Sequence, residues 1–452
     1  MKKLFLWLII AVIIAVFSLV GCKEAAAEEE VAAEEEVATE EEVAAEEEVA
    51  AVETTAVETT AKTYPKLKFA ADKQWAFDIM FDAFEAKTGI EAEITVYGDE
   101  YKAAIKTGIT TAEGFDIFTW WSDFDIIDLQ SQGLLEDLTA NYDAVEGKYP
   151  QGMKESFSVD GKIYGVPCQV GAWIAFYNVP LFEKYNLEDP KTWDDFITIC
   201  ETLKSNGITP IGFTIDGGWT SVVWFQQLFA TNYPDAYVQV LGGEKPWTCD
   251  EVKQTFELWK DMLDKGYFSD PGTKVGTELP LMMGNDEVGI ILFGDWFSDL
   301  FTTNEVMSGE DYNIFAMPPV NSSLGKTVLF EVSPIVMSAN SGNKEAAKMF
   351  IDYWLSDEGQ QLWSDTMNYI SPNSAVSSAN LSVDKVKIAK EIWGDPDADM
   401  IMRLFESTIP TISTPACAFF DNFVLNPETY ETQMKSLEEM ASAAWAEYKA
   451  KQ

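Results

Sequence analysis

Apolar and polar positions divide this chain into three stretches of different texture. Residues 4–20 run from Leu4 to Val20 almost without a polar side chain, directly behind Lys2-Lys3. Residues 23–63 then follow a six-residue period of Glu-Glu-Glu and Val-Ala-Ala, which places Val31, Val37, Val43 and Val49 at equal steps. A six-residue step turns an α-helix through ~240°, so these valines scatter over several faces and build no apolar stripe. From Tyr64 onward the texture changes to short apolar runs alternating with amphipathic segments, the pattern of strands and helices in an α/β protein.

The stretch from Asp160 to Phe213 shows that grammar in detail. An Asp160-Gly161 turn leads into a short strand, Ile163 to Val166, which Pro167 is expected to stop. A longer apolar strand, Trp173 to Tyr177, ends at Asn178, and a helix with the sequence LFEKY follows. Thr192 reads as the N-cap of an amphipathic helix from Trp193 to about Ser205, closed by Asn206-Gly207. Further strands are expected at Lys66–Ala71, Phe115–Thr119, Ile211–Ile215 and Gly289–Phe293.

Composition narrows the function. A length of 452 residues exceeds one compact domain and suits two lobes with additions. The formal charge is −44, and residues 23–62 alone hold fifteen glutamates against two lysines. No basic stripe interrupts that negative surface, which excludes nucleic acid as a partner. The acidic repeat repels itself and buries nothing, so it reads as a solvated tether. Ahead of it, the Lys pair, the apolar run and Leu19-Val20-Gly21-Cys22 compose an export signal ending in a lipobox, with Cys22 as the lipidated residue. A plain N-terminal membrane anchor is the alternative. Both readings place the protein outside the cytoplasm, tied to a membrane.

Histidine is absent and Arg403 is the only arginine. That removes Ser-His-Asp and Cys-His nucleophile schemes, histidine metal sites, and arginine forks for phosphate or carboxylate ligands. Neither GxxxxGK[ST] nor GxGxxG occurs, so nothing points to a nucleotide. Cys168, Cys200, Cys249 and Cys417 lack metal spacing and read as free thiols. Carboxylates are abundant, which leaves a glycosidase pair as the enzymatic alternative.

Several segments in fixed order resemble the family 1 extracellular solute-binding proteins, the sugar-capturing receptors of ABC importers. They are Tyr164-Gly165-Val166-Pro167 with Tyr177-Asn178, Gly114–Phe118, and GLLEDLT at Gly133–Thr139. Leu281–Gly284 leading to Gly294-Asp295-Trp296, Phe315–Pro318, and the run from Lys344 through Trp354, Asp357 and Gly359 to Ser371-Pro372-Asn373 complete the set. One departure is Leu329–Pro334, LFEVSP, where the family often carries a Gly-Gly pair. The resemblance implies a two-lobed periplasmic-binding-protein-like fold of type II with hinge crossovers. Lobe one would comprise 64–168 plus 312–368, and lobe two 169–311 plus 369–452. It also implies a monomeric, non-enzymatic receptor without cofactor or metal, whose partners are a sugar and the permease subunits of an importer.

A sugar site needs aromatic rings for the C–H faces and Asp, Glu, Asn or Gln for the hydroxyls, at strand ends between lobes. Trp120, Trp121 and Asp123 follow one such strand. Adjacent tryptophans on extended chain point oppositely, so at least one should face the cleft, while Asp123 is equally a helix cap. By resemblance, Trp219 behind Gly217-Gly218 and Trp296 beside Asp295 are the binding aromatics. Gln74, Trp75, Trp173, Glu331 and Asn373 complete the candidates, with core burial as the competing reading for Trp75 and Trp173. The ligand expected is a mono- or oligosaccharide. A polyamine or other cation, and a surface glycoside hydrolase acting on sugars, are the alternatives.

Overall fold

Two strands carry the architecture because each runs through both halves of the molecule. The computed structural model describes residues 62–98 and 100–451; Cys22, the export signal and the acidic tether up to residue 61 lie outside the described residues. From Lys62 on, the chain forms one unit. Its strands are β1 (Leu67–Ala71), β2 (Ala92–Val96), β3 (Ile117–Thr119), β4 (Ser158–Val159), β5 (Lys162–Ile163) and β6 (Gly165–Asn178). After them come β7 (Thr209–Gly212), β8 (Val288–Gly294), β9 (Tyr312–Phe315), β10 (Thr327–Met337) and β11 (Asp399–Met402). The main sheet is ordered β2-β1-β3-β10-β6-β8-β7, with β11 on β10 and β9 on β6.

Parallel pairing of β1 with β2 and β3 on one side, and of β7 with β8 on the other, gives each half its own α/β layer. The antiparallel pair β6–β10 joins them. The sequence pattern predicts that Pro167 ends a strand, yet β6 passes straight through it. The reason lies across the ladder: Pro167 faces Pro334, and the register shifts between Ser333 and Pro334. Two residues without N–H groups meet where the ladder is already irregular, so neither deprives a partner of a hydrogen bond. The carbonyls there find donors elsewhere. Trp354 Nε1 donates to Pro167 O at 2.9 Å, and Trp363 Nε1 donates to Cys168 O at 3.0 Å.

Each half has a separate apolar core. The first gathers Phe69, Phe77, Phe81, Phe84 and Ile117 with helix Lys344–Leu355, where Phe350 stacks on Phe81 at 4.1 Å. The second gathers Phe176, Phe225, Trp259 and Ile290 with helix Pro410–Leu425, where Phe420 meets Phe225 at 4.5 Å. Tyr312, Phe315, Val328 and Leu329, expected in lobe one, pack in the second core, because β9 pairs with the far end of β6.

Local signals act as the sequence predicts. Asp160 and Gly161 take φ of 52° and 76° in the β4–β5 turn, the left-handed pair that a tight hairpin uses. Asn178 accepts from Leu181 N at 2.7 Å to start helix Val179–Tyr185, and Thr192 forms a capping box with Asp195. The strand expected at Ile211–Ile215 ends at Gly212, because Phe213 N donates to Ser269 Oγ and Ile215 N to Pro271 O. Among the described residues, no helix is long and apolar enough to cross a membrane.

Candidate functional site

The ends of β1, β3 and β8 and the middles of β6 and β10 converge on a cavity of about 550 Å³ between the two cores. From the first half come Trp75, Trp120 and Trp121, with Asp72, Lys73, Lys102, Thr119 and Asp125. The second half supplies Trp219, Trp296, Asp299, Arg403, Phe405 and Glu406. Cys168, Gln169, Glu331 and Ser333 line it from the crossing strands, and Tyr369 closes one side.

The first wall is built by turning one strand end. Trp120 is buried, its Nε1 donating to Asp125 O at 3.1 Å, while Trp121 sits edge-on to it at 5.3 Å and stays half-buried. Both border the cavity, which exceeds the single cleft-facing tryptophan that alternation requires. Lys102 lies 4.2 Å from the Trp121 ring and pairs with Asp125 at 3.0 Å. Trp75 meets Tyr369 edge to face at 6.0 Å, so the first helix approach touches the residue that closes the side.

Three indoles and a phenyl ring compose the second wall. Trp219 and Trp296 line the cavity with centroids 5.9 Å apart. Trp173 and Phe293 stand behind them, Trp173 at 6.4 Å from each indole. Gly294 gives Trp296 its place: a Cβ there would collide with the indole. Gly217 serves differently: its φ of 95° is open to glycine, and a Cβ there would only touch the Trp219 indole.

Five carboxylates and three cations border the cavity. Arg403 is half-buried, with its Nε and NH2 each 2.7 Å from a Glu406 oxygen and its NH1 on Glu331. Burial pushes the Glu331 carboxyl up, and Arg403 pulls against that shift. Burial likewise raises Asp299, which accepts from the Tyr369 hydroxyl at 3.0 Å. Asp72 accepts from Thr119 Oγ1 at 3.1 Å. Lys73 touches the Trp75 ring at 5.2 Å.

Of the residues singled out from sequence, Trp75, Trp120, Trp121, Trp219, Trp296 and Glu331 line the cavity; Asp123, Asp295, Gln74, Trp173 and Asn373 do not. Gln74 points to solvent. Trp173 is core, as its competing reading allowed. Asp295 is buried under the wall, where Lys385 lies 3.4 Å from Oδ2 and donates to its main-chain oxygen at 2.7 Å; burial raises its carboxyl to about 6. Asn373 is a turn residue, donating to Asp357 Oδ1 and accepting from Ala375 N, both at 2.9 Å. Asp123 neither lines the cavity nor caps its helix. Its φ of 51° and ψ of −115° leave Oδ2 buried without a partner, and burial with the nearby Glu406 charge lifts it to about 7.

Sequence reasoning missed Arg403, Glu406, Tyr369 and Asp299. The single arginine was itself a signal, since a lone fork in so acidic a chain must meet a carboxylate. Its Glu406 partner sits three residues on, at helical spacing. The four described cysteines are free thiols, and among the described residues no cluster of three metal-ligating side chains occurs.

Residues 61–361 match the model of the family described as bacterial extracellular solute-binding protein. An ABC transporter extracellular-binding protein of Pyrococcus horikoshii is 30% identical over 255 residues, covering 55% of this chain and 56% of its own. The chain thus spans about half the length of the first curated relatives it matches. The bacterial solute receptor AcbH, described as having an exclusive preference for β-D-galactopyranose, has the same fold. Its TM-score is 0.75 at 19% identity, over 84% of this chain and 100% of that one. A chitin oligosaccharide binding protein gives 0.70 at 18% identity, over 82% and 94%.

Proposed function

We propose, for a chain that belongs to the bacterial extracellular solute-binding protein family, that it captures a mono- or oligosaccharide for an ABC importer. The observation that carries this reading is one cavity bordered by five indoles and five carboxylates, where both crossing strands pass between two cores. Indole faces cover the C–H faces of a pyranose, and carboxylates accept its hydroxyls. The sugars named for the two structural neighbours, galactopyranose and chitin oligosaccharide, support the same ligand class.

The ligand acts by differential affinity. A sugar touching Trp75 or Trp121 on one side and Trp219 or Trp296 on the other makes both sets of contacts only when the halves are together, so binding stabilises that arrangement. No bond in the ligand breaks. Bending is concentrated near Pro167–Gly171, beside the register shift at Ser333–Pro334. The permease of the importer then recognises the closed form. Lipid on Cys22 ties the receptor to the outer face of its membrane.

Titration calorimetry with galactose, N,N′-diacetylchitobiose and maltotriose, against spermidine, tests the ligand class. Spermidine has a specific claim, because carboxylates outnumber cations around the cavity. Binding of spermidine with no response to any sugar would sink the carbohydrate reading, and release of shorter sugars on long incubation would sink the receptor reading. Cys22→Ser should abolish incorporation of labelled fatty acid; retained label removes the anchor.

A further inference from the structure

The two halves also touch outside the crossing strands and the cavity walls. Helix Phe124–Ser131 belongs to the first half, and its Ile126 and Leu129 are buried in the first core. Its first residue does not join them. Phe124 packs instead against the second core, edge to face with Trp445 at 5.8 Å and with Tyr448 at 5.9 Å. Those two rings belong to helix Tyr430–Lys451, which buries Met434, Leu437 and Ala441 in the second core. They meet each other at 5.5 Å and 88°, so Phe124 completes a triad of edge-to-face rings.

Both sides of that contact are held in place. On the second half, the Trp445 indole lies on the backbone of Gly243, where a Cβ would come within 2.6 Å of it. On the first half, Asp123 N donates to Ser156 O at 3.0 Å, and Trp120 Nε1 donates to Asp125 O at 3.1 Å. The chain is therefore tied immediately before and after Phe124. Trp120 N donates to Pro334 O at 2.8 Å, which fastens the same turn to the β10 crossing. Between these ties Asp123 takes φ 51° and ψ −115°, a backbone that is strained for a residue with a Cβ. That turn sets Phe124 against the other half and away from its own core. Trp120, Trp121 and Asp125 beside it line the cavity, so the contact between halves and the first binding wall issue from one loop.

We propose that Phe124 is the tooth of a latch: seated against Trp445 and Tyr448, it holds the two halves together in the absence of solute and so raises the fraction of receptor in the closed form. The proposal rests on the reading of the chain as a receptor whose halves close, and not on which solute it takes. Each edge-to-face pair adds a small factor to the balance between open and closed forms, and two together shift it roughly tenfold. Phe124, Trp445 and Tyr448 are all half-buried, so they can part without opening either core. A solute that binds only the closed form loses affinity by the factor by which the closed fraction falls.

The test uses the full chain with p-acetylphenylalanine at Gln132 and Glu439, exposed positions beside and on the two helices that meet. Spin labels attached to the ketones leave the thiols untouched, and double electron–electron resonance without solute reads the separation of the halves. The parent should populate a short separation, and Phe124→Ala should move the ratio of short to long roughly tenfold toward long. Trp445→Ala should shift it the same way, and the double variant by less than the product of the two single effects. If Phe124→Ala does not fold, Tyr448→Ala reads the same contact from the other side. A parent with only the long separation, or variants whose distributions match the parent's, overturns the latch. Where galactose, N,N′-diacetylchitobiose or maltotriose binds the parent, its affinity for Phe124→Ala should fall by the factor lost from the closed fraction. Unchanged affinity beside a lowered closed fraction overturns the latch's part in capture. Failure of all three sugars strikes the carbohydrate reading, while the separations without solute still decide the latch.

Discussion

The two walls of the cavity carry similar rings held by different means. On the first, Trp120 is pinned by a hydrogen bond to the first turn of the next helix and Trp121 is covered by Lys102. The second wall has no such pin. Trp296 rests on the backbone of Gly294 and both indoles on Trp173, with a half-buried arginine and two carboxylates beside them. The charge beside the second wall is paired and hydrogen-bonded, as partial burial requires. Stacking surface thus comes from local packing on one side and from a tertiary ion network on the other.

The halves behind those walls can be compared by the damage each tolerates. Phe350→Ala removes a fully buried ring stacked on Phe81 and should cost about 3–5 kcal/mol in denaturant unfolding. Phe225→Ala, which removes a buried ring tilted against Phe420 in the second core, should cost a similar amount. A single shared transition in both variants means that β6 and β10 make the halves fold together; two transitions would show them independent.

Asp123 probes the contact between halves, since Glu406 belongs to the other wall. Its carboxyl ionises at about 7 in the folded chain against an ordinary 3.8, so the folded state resists losing the proton. Stability is therefore full below about pH 4 and declines as pH rises through 7. Asp123→Asn should melt several degrees higher than the parent at pH 8 and together with it at pH 4. Equal melting at pH 8 would mean that the carboxyl is already relieved by solvent.

The walls themselves are separated by ligand affinity. Trp219→Ala should weaken sugar binding at least tenfold, about 1.4 kcal/mol. Trp75→Ala should weaken it less, because Trp75 already spends ring contacts on Phe77, Trp363 and Tyr369. The reverse order would transfer the stacking role to the first wall. Smallest of all, Thr192→Ala removes a capping box far from the cavity and should cost about 1 kcal/mol of stability without touching affinity.

What was readable in advance was local. Asp160-Gly161 and Thr192 each announce a turn or cap through their own backbone preferences, and each is found in that role. Trp219 and Trp296 could be placed through the family resemblance of their short segments, and both line the cavity. Asp295 and Asn373 could not, since the same polar side chain serves a ligand or a buried lysine and a turn equally well. Their partners, Lys385 and Asp357, are distant in sequence for the first and separated by a helix for the second.

Sequence by itself determined the order of strands and helices, the family, and the aromatic groups at the strand ends, because periodicity, capping and short motifs act over a few residues. Tertiary structure alone decided the rest. Pro167 stays inside a strand because Pro334, far along the chain, faces it at a break in the ladder. Arg403 turns inward because Glu331 and Glu406 are there to share its charge. Burial of Asp123 Oδ2 without a partner raises its carboxyl to about 7. In each case the partner is chosen by folding, and the cost of leaving a donor or a charge unmet in the interior makes that choice binding.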